Sequence, residues 1–372
     1  MIQRQLCKTI ENKLFSGKAI VIMGARQTGK TTLIQTLLNG HDDVIWLNGD
    51  EQFVRDLMEN ISVAKYKSLI GINKIVVIDE AQRIADIGLK AKLLTDNFKD
   101  KQIILTGSSS FELSNRINEP LTGRKWEYRL YPLSFSELST HFGMLHEMQN
   151  LPLRLVFGCY PDVVCNQGSE RDVLTQLADS YLYKDILEWE RLKKPEKLIK
   201  LLQALAYQIG SEVSYSELGT LVGLDNGTIE KYITLLEQTH VIFRIGSFSR
   251  NLRNELKFAK KVYFYDNGIR NALIHNFTDI DIRTDTGELW ENFMVSELRK
   301  RADYTGLYAN SYFWRTTDKK EIDYIEEHDG VINAYEFKWN PKKRGKKIGQ
   351  FTDAYPNATL QTVNRDNYFQ FL

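Results

Sequence analysis

Short apolar runs alternate with amphipathic stretches along the first third of the chain. The strand-like runs are KAIVIMG (18–24), VIWLNGD (44–50), KIVVIDE (74–80), QIILTGSS (102–109) and EYRLYPLSF (127–135). Because these runs are nearly continuously apolar and helical segments separate them, they predict a parallel sheet that helices cover on both faces. Residues 1–138 are therefore predicted to form an α/β domain.

The pattern changes in the rest of the chain. Residues 139–194 are mainly helical and are predicted to form a lid or connector. Residues 195–275 contain three helical stretches followed by two strand-like runs around a polar loop. This order is typical of a winged helix–turn–helix, and it predicts a winged-helix domain. Residues 276–372 contain one helix (GELWENFMVSELRK) and further strands, which predict a C-terminal α/β domain.

Composition narrows the classes of function. The 372 residues are 42% hydrophobic and 26% charged, and the formal net charge of +1 excludes a globally basic nucleic-acid coat. Cys7, Cys159 and Cys165 have no metal-ligand spacing and form no even disulfide set, so a reduced, cytoplasmic compartment is expected. No apolar run approaches the roughly 18 residues of a membrane span, so no membrane partner is expected.

A glycine-rich segment, GARQTGKT (24–31), lies between the first apolar run and the next helical stretch. It fits the phosphate-loop pattern G-x-x-x-x-G-K-[ST] in the strand-to-helix context that this motif requires. Backbone N–H groups would surround the phosphates, Lys30 would contact the β- and γ-phosphates, and the Thr31 hydroxyl would bind Mg²⁺. The predicted ATP-binding residues are Gly24, Ala25, Arg26, Gln27, Thr28, Gly29, Lys30, Thr31, Thr32 and Asp79.

An acidic pair follows the apolar run 75–78. Ligands bind at the carboxyl end of a parallel sheet, and Asp79 and Glu80 emerge at such an end. Asp79 is predicted to hold Mg²⁺ through water, and Glu80 to orient and polarise the attacking water. Together with the phosphate loop, this pair predicts ATP hydrolysis rather than nucleotide binding alone.

Two further catalytic candidates each have an alternative interpretation. Thr106 and Ser108 end the fourth apolar run, where a polar side chain could sense the γ-phosphate or position the attacking water. The alternative is a turn rich in Ser and Thr that caps the next helix. Arg124 precedes the fifth run and could act as an arginine finger, or could be a solvated loop arginine. A finger that acts across a subunit boundary would require a homo-oligomer.

Several motifs together resemble the prokaryotic AAA-like ATPase family that carries a C-terminal domain of unknown function. They are GARQTGKT, IDEAQ, LTGSSS, LTGRKWEYRLYPLSFSEL, GCYPDVV, YLYKDI and KVYFYDNGIRNAL, and the resemblance covers residues 1 to about 340. It implies a P-loop core with an additional strand, in which Lys30, Thr31, Asp79 and Glu80 form the ATP site.

Charge in the winged-helix segment supports DNA binding weakly. The third helix offers Asn226, Thr228, Lys231 and Tyr232 but also Glu230 and Glu237. The hairpin region is more basic and could contact phosphates without reading sequence. Its basic residues are Arg244, Arg250, Arg253, Lys257, Lys260 and Lys261. The alternative is a module for packing or dimerisation.

A second candidate site lies in the hairpin EIDYIEEHDGVINAYEFKW (321–339). If the hairpin is centred on the turn at 328–330, Asp323 pairs with Glu336, and Lys338 lies on the same face as Glu336. Two carboxylates can bind Mg²⁺, and a neighbouring lysine can position a hydroxide. The alternative is a solvated, salt-bridged sheet face.

This arrangement resembles the Asp…Glu-x-Lys core of restriction-endonuclease-like nucleases. The resemblance implies that Glu291, on the preceding helix, is a further metal-site carboxylate, and the nearby KKRGKK (342–347) could hold phosphates. The sequence thus predicts Mg²⁺-dependent ATP hydrolysis coupled to DNA binding or processing. The alternative is a nucleotide-switched interaction protein whose nuclease-like domain is an inactive docking module.

Overall fold

The fold is that of a computed structural model of the chain. The structure describes residues 1–108, 117, 120–187, 195–249, 260–316, 318, 320–343 and 349–372. They divide into two compact units. Unit 1 comprises Met1–Leu133 and Gln238–His240, and unit 2 comprises Ser134–Glu237 and Val241–Leu372.

Unit 1 is built on a five-stranded parallel sheet, as the sequence predicts. In space the strands follow the order β2-β3-β4-β1-β5, so β4 lies between the strand before the phosphate loop and the strand that ends in the acidic pair. This is the additional-strand order that the family resemblance implies. The strands are β1 (Ala19–Met23), β2 (Val44–Asn48), β3 (Ile75–Asp79), β4 (Gln102–Gly107) and β5 (Lys125–Arg129).

Burial explains why the strands of unit 1 are so apolar. The central strands β1, β3 and β4 are buried at every position, whereas the edge strands β2 and β5 are mostly half-buried. Val21 packs in a core with residues of three helices, and the alternate residues Ile20 and Ile22 are also fully buried, so both sheet faces are covered. The helices of unit 1 are α1 (Gln5–Glu11), α2 (Lys30–Leu37), α3 (Gln52–Glu59), α4 (Val63–Ile70) and α5 (Ile87–Asn97).

Unit 2 begins with helices. Ser134 starts the first of them with a full capping box, and Ser214 caps a later helix by accepting a hydrogen bond from the Glu217 backbone N–H. The helices are α6 (Phe135–Phe142), α7 (Met144–Gln149), α8 (Leu151–Phe157), α9 (Pro161–Cys165), α10 (Glu170–Leu187), α11 (Pro195–Tyr207), α12 (Tyr215–Val222), α13 (Asn226–Gln238), α14 (Asn267–Leu273), α15 (Thr286–Thr305) and α16 (Gly349–Ala354).

One mixed sheet of seven strands runs through unit 2, in the order β12-β11-β10-β9-β7-β8-β6. Strand β7 pairs in parallel with β9, so the predicted boundary between residues 275 and 276 falls inside a single sheet. The predicted domain division of residues 139–372 otherwise stays a prediction. The strands are β6 (Glu212–Val213), β7 (Ile242–Ser247), β8 (Lys260–Phe264), β9 (Asn310–Arg315), β10 (Glu321–His328), β11 (Val331–Lys338) and β12 (Thr359–Asn364).

The structure also describes the three cysteines and the apolarity of the helices. All three cysteines are free thiols, and Cys159 is buried whereas Cys165 is exposed. Among the helices of the described residues, none combines the length and the apolarity needed to cross a membrane.

Candidate active site

The phosphate loop joins the carboxyl end of β1 to the start of α2. Gly29 precedes the helix at φ 91° and Gln27 at φ 59°, so the loop turns through the left-handed region twice. Gly24 is required by close packing, because a Cβ at that position would lie 2.2 Å from the Leu130 carbonyl oxygen. The loop therefore has the local conformation that directs backbone N–H groups inwards.

The buried Lys30 side chain lies within this loop. Its Nζ donates to the carbonyl oxygens of Gly24 and Ala25, at 3.0 and 2.9 Å. The Thr28 hydroxyl donates to the same Ala25 oxygen at 2.8 Å. Among the other residues predicted to bind ATP in this loop, Gln27 and Thr32 are exposed and Arg26 is half-buried.

Arg4 holds the loop from outside, and sequence reasoning missed it. Its guanidinium donates to the Thr28 carbonyl oxygen at 2.7 Å and to the Tyr131 carbonyl oxygen at 2.5 Å. The contact ties the loop to the chain that follows β5. No motif indicates this role, because Arg4 lies 24 residues before Thr28 and only the tertiary fold brings the two together.

The acidic end of β3 lies directly beside the loop. The Thr31 hydroxyl donates to Asp79 Oδ2 at 2.9 Å, so the structure brings together the two predicted Mg²⁺ ligands. The Thr106 hydroxyl donates to Asp79 Oδ1, and it accepts the Glu80 backbone N–H at 3.1 Å. Thr106 therefore orients the acidic pair, and its action on the γ-phosphate or the attacking water stays a prediction.

Glu80 has an unusual backbone conformation, and its carboxylate accepts a hydrogen bond from a residue that sequence reasoning left without a role. Its φ of 47° is in the left-handed region, which is uncommon for a side-chain-bearing residue and is concentrated at functional sites. The Gln82 amide donates to Glu80 Oε2 at 2.5 Å and to Ser108 Oγ at 3.0 Å. Ser108, the second candidate sensor, is thus linked to Glu80 through Gln82.

Arg124 lies near the amino end of β1, whereas the phosphate loop lies at the carboxyl end. It directly precedes β5, whose first residue pairs with Ala19 at the start of β1, whereas the phosphate loop follows the end of β1. Its Nε donates to Asp96 Oδ1 at 2.7 Å. Arg124 therefore does not reach the phosphate loop of its own chain, because the length of a strand separates the two, and only action across a subunit boundary stays as a prediction.

The carboxylate hairpin of unit 2 has the predicted register. Tyr324 pairs with Tyr335, so the next position places Asp323 opposite Glu336. Lys338 Nζ lies 2.9 Å from Glu336 Oε1 and 3.8 Å from Asp323 Oδ2. The predicted register of the hairpin is therefore confirmed, and Asp323, Glu336 and Lys338 lie on one face as predicted.

Glu291 joins this cluster from α15, but through residues of β8. Its Oε1 accepts from Lys261 Nζ at 3.0 Å and from the Tyr263 hydroxyl at 2.7 Å. Burial, followed by the negative charge of Glu291, raises the pKa of Asp323 to about 7. Among the described residues, no group of three or more His, Cys, Asp or Glu side chains is arranged to hold a metal ion.

The basic residues predicted to contact DNA differ in their burial and in their ion pairs. Arg244 donates to the Tyr215 hydroxyl at 2.7 Å and pairs with Glu237, so it is not available to phosphates, and neither is the buried Lys261. The side chain of Tyr232 is buried in α13, whereas Lys231 and Lys260 are exposed. Arg250, Arg253 and Lys257 lie outside the described residues, as does most of the run 342–347.

Comparisons with known proteins agree with this geometry. Residues 16–139 match an AAA domain, residues 148–280 a domain of unknown function (DUF8612) and residues 286–369 another (DUF4143). The chain is 24% identical to an uncharacterized protein of Methanocaldococcus jannaschii, over 96% of this chain and 83% of that protein. It is 26% identical to an uncharacterized protein of Haemophilus influenzae, over 82% of this chain and 78% of that one.

A solved structure extends the comparison to the fold. The Walker-type ATPase of Pyrococcus abyssi is similar with a TM-score of 0.50 and 16% identity, over 74% of this chain and 96% of that one. At that identity the likeness shows a shared fold. The chain therefore carries an AAA-type P-loop ATPase domain in its first part and a DUF4143 domain in its last part.

Proposed function

We propose that unit 1 hydrolyses ATP in a Mg²⁺-dependent reaction, and that unit 2 couples this reaction to DNA. The observation that carries the proposal is the hydrogen bond from Thr31 to Asp79, at 2.9 Å. It joins the phosphate loop to the acidic end of β3, with Glu80 as the next residue. Thr31 and Asp79 would serve any binder of Mg²⁺–ATP, whereas hydrolysis also needs a group that polarises the attacking water, and we assign that role to Glu80.

Lys30 supplies the charge that the phosphates need. Its ammonium now contacts two neutral carbonyl oxygens of its own loop. A phosphate oxygen is a stronger, anionic acceptor, so ATP binding would draw the ammonium away from these carbonyls. The amino terminus of α2 adds partial positive charge at the same place.

The oxygen donors beside the loop fit a magnesium ion. Mg²⁺ prefers hard oxygen ligands and retains waters, and the Thr31 hydroxyl with the Asp79 carboxylate would hold it next to the phosphates. When bound, the ion neutralises charge that develops on the phosphate oxygens. Glu80 would accept a hydrogen bond from the attacking water and polarise it, while Gln82 keeps the carboxylate of Glu80 in place.

The test is phosphate release from ATP by the full chain. We expect release that requires Mg²⁺ and stops when the ion is chelated. Lys30→Ala should lose nucleotide binding and with it all release, because the loop loses its fixed positive charge. Phosphate release at the wild-type rate by Lys30→Ala would show that another site, or a contaminant, hydrolyses ATP.

The coupling to DNA is supported by the element order of unit 2. Helix α11, strand β6, helices α12 and α13, and the hairpin β7–β8 follow one another as in a winged helix, and β8 pairs with both β6 and β7. Exposed Lys231 and Lys260 could contact phosphates. The face shared by Asp323, Glu336 and Lys338 supports a nuclease-like fold for residues 276–372.

A nucleotide-switched interaction protein is the second candidate. The observation in its favour is that Arg244 and Lys261 are used in internal ion pairs. Turnover measured with single-stranded, duplex and branched DNA distinguishes the two functions. Stimulation by any of these DNAs supports coupling to DNA, whereas slow hydrolysis that none of them changes supports the interaction protein.

A further inference from the structure

A lysine from β8 lies inside the carboxylate cluster of unit 2. Lys261 Nζ is 3.0 Å from Glu291 Oε1 and in contact with Glu321 Oε1, and its side chain is only 4% exposed. The Tyr263 hydroxyl donates to the same oxygen of Glu291 at 2.7 Å. Lys261 and Tyr263, two positions apart in β8, thus both bind the Glu291 carboxylate. The nuclease resemblance assigns this carboxylate to a metal ion.

The other carboxylates of the cluster are also engaged. Asp323 Oδ2 accepts the Phe337 backbone N–H at 2.7 Å, and Glu336 Oε1 lies 2.9 Å from Lys338 Nζ. Glu321 lies between Lys261 and the more distant guanidinium of Arg315, whose Nε is 4.0 Å from its second oxygen. A divalent cation needs several oxygens that converge on one point, and the described carboxylates do not converge.

The position of the ammonium explains this disagreement with the nuclease resemblance. A positive charge buried between Glu291 and Glu321 attracts the same oxygens that a metal would need, and it repels a divalent ion at short range. The attraction and the repulsion both act where solvent screening is weak, because the lysine side chain is almost completely buried.

We propose that Lys261 is a built-in cation that takes the place of a divalent metal in this cluster. The lysine ties β8 to α15 and β10, so the cluster is an internal ion-pair network and not a metal centre. Unit 2 would then use its nuclease-like fold for binding and would not cleave DNA. Lys338 has a different role, since its side chain is 28% exposed and lies beside Asp323 and Glu336.

Manganese binding to the nucleotide-free full chain tests this proposal. Electron paramagnetic resonance counts bound Mn²⁺, and Asp79→Asn identifies any ion held at the phosphate loop. We expect the wild type to show no Mn²⁺ site that depends on Asp323. Lys261→Met keeps the length of the side chain without its charge, and it should gain one such site, because the repelling ammonium is removed.

The controls separate this gain from general loosening. Lys338→Met should not produce the new site, and Lys261→Met combined with Asp323→Asn should lose it. Circular dichroism confirms folding, and Lys261→Gln replaces the methionine variant if that one does not fold. A Mn²⁺ site in the wild type that Asp323→Asn abolishes would overturn the proposal. So would a folded Lys261→Met protein that binds no Mn²⁺ in unit 2.

Discussion

Replacing Thr106 with valine should loosen the acidic end of β3 by an amount that can be worked out from its contacts. The Thr106 side chain is fully buried, and its hydroxyl donates to Asp79 and accepts from the Glu80 backbone. A hydrogen bond to a charged group contributes about 1.5–3 kcal/mol and a neutral one about 1 kcal/mol. However, the Glu80 N–H also donates to Asp79 Oδ1 at 3.1 Å, so both groups keep one partner in the variant. We therefore expect a loss smaller than the sum of the two contributions, about 2 kcal/mol.

Hydrogen exchange of the β3 and β4 amides measures this free energy locally, without assuming that the whole chain unfolds in one step. Thr95→Val is the matched control, because Thr95 is also buried in unit 1 but its hydroxyl donates only to the Ala91 carbonyl within α5. The control should change the opening free energy by less than about 0.5 kcal/mol. Equal changes in the two variants, or no change in Thr106→Val, would refute the bridging role of Thr106.

Three further predictions concern Gln82, Arg124 and the basic residues of the predicted hairpin. Gln82→Ala should lower kcat for ATP with little change in nucleotide affinity, because it releases Glu80 but leaves the loop intact; an unchanged kcat would remove this role. If Arg124 acts across a subunit boundary, specific activity should rise with protein concentration, and Arg124→Ala should bind ATP without turning it over; constant activity in a monomer, measured by light scattering, would exclude this. Neutralising three basic residues of the predicted hairpin should weaken DNA binding and flatten its salt dependence; unchanged affinity and salt slope would leave the predicted winged helix as a packing module. The hairpin residues to change are Arg250, Arg253 and Lys257.

Local patterns of apolar residues were sufficient to predict most of the strands. The first four strands of unit 1 were predicted from nearly continuous apolar runs, which are typical of strands in a covered parallel sheet. The fifth predicted run (127–135) overlaps β5 only at residues 127–129, because β5 is a half-buried edge strand with few apolar residues. The pairing of Asp323 with Glu336 was predicted because a tight turn determines the register of a hairpin. Strand β12 was missed because its two aliphatic residues, Leu360 and Val363, are three positions apart and give no alternating apolar pattern.

Contacts between distant segments could not be predicted in the same way. Arg4 reaches the phosphate loop, and Lys261 reaches Glu291, only because tertiary packing brings separate segments together. Lys261 looked like a basic residue for phosphate contact, since a sequence shows charge but not burial. The role of Thr106 was likewise left open, because a strand-terminal hydroxyl can face a ligand or a neighbouring carboxylate.

The central claim is that Glu80 activates water for ATP hydrolysis at this loop. The most direct measurement compares phosphate release and nucleotide binding in wild type and Glu80→Gln, at the same Mg²⁺ concentration. We expect Glu80→Gln to bind ATP and Mg²⁺ as the wild type does but to release almost no phosphate, because only the polarising carboxylate is lost. Phosphate release by Glu80→Gln at the wild-type rate would contradict it.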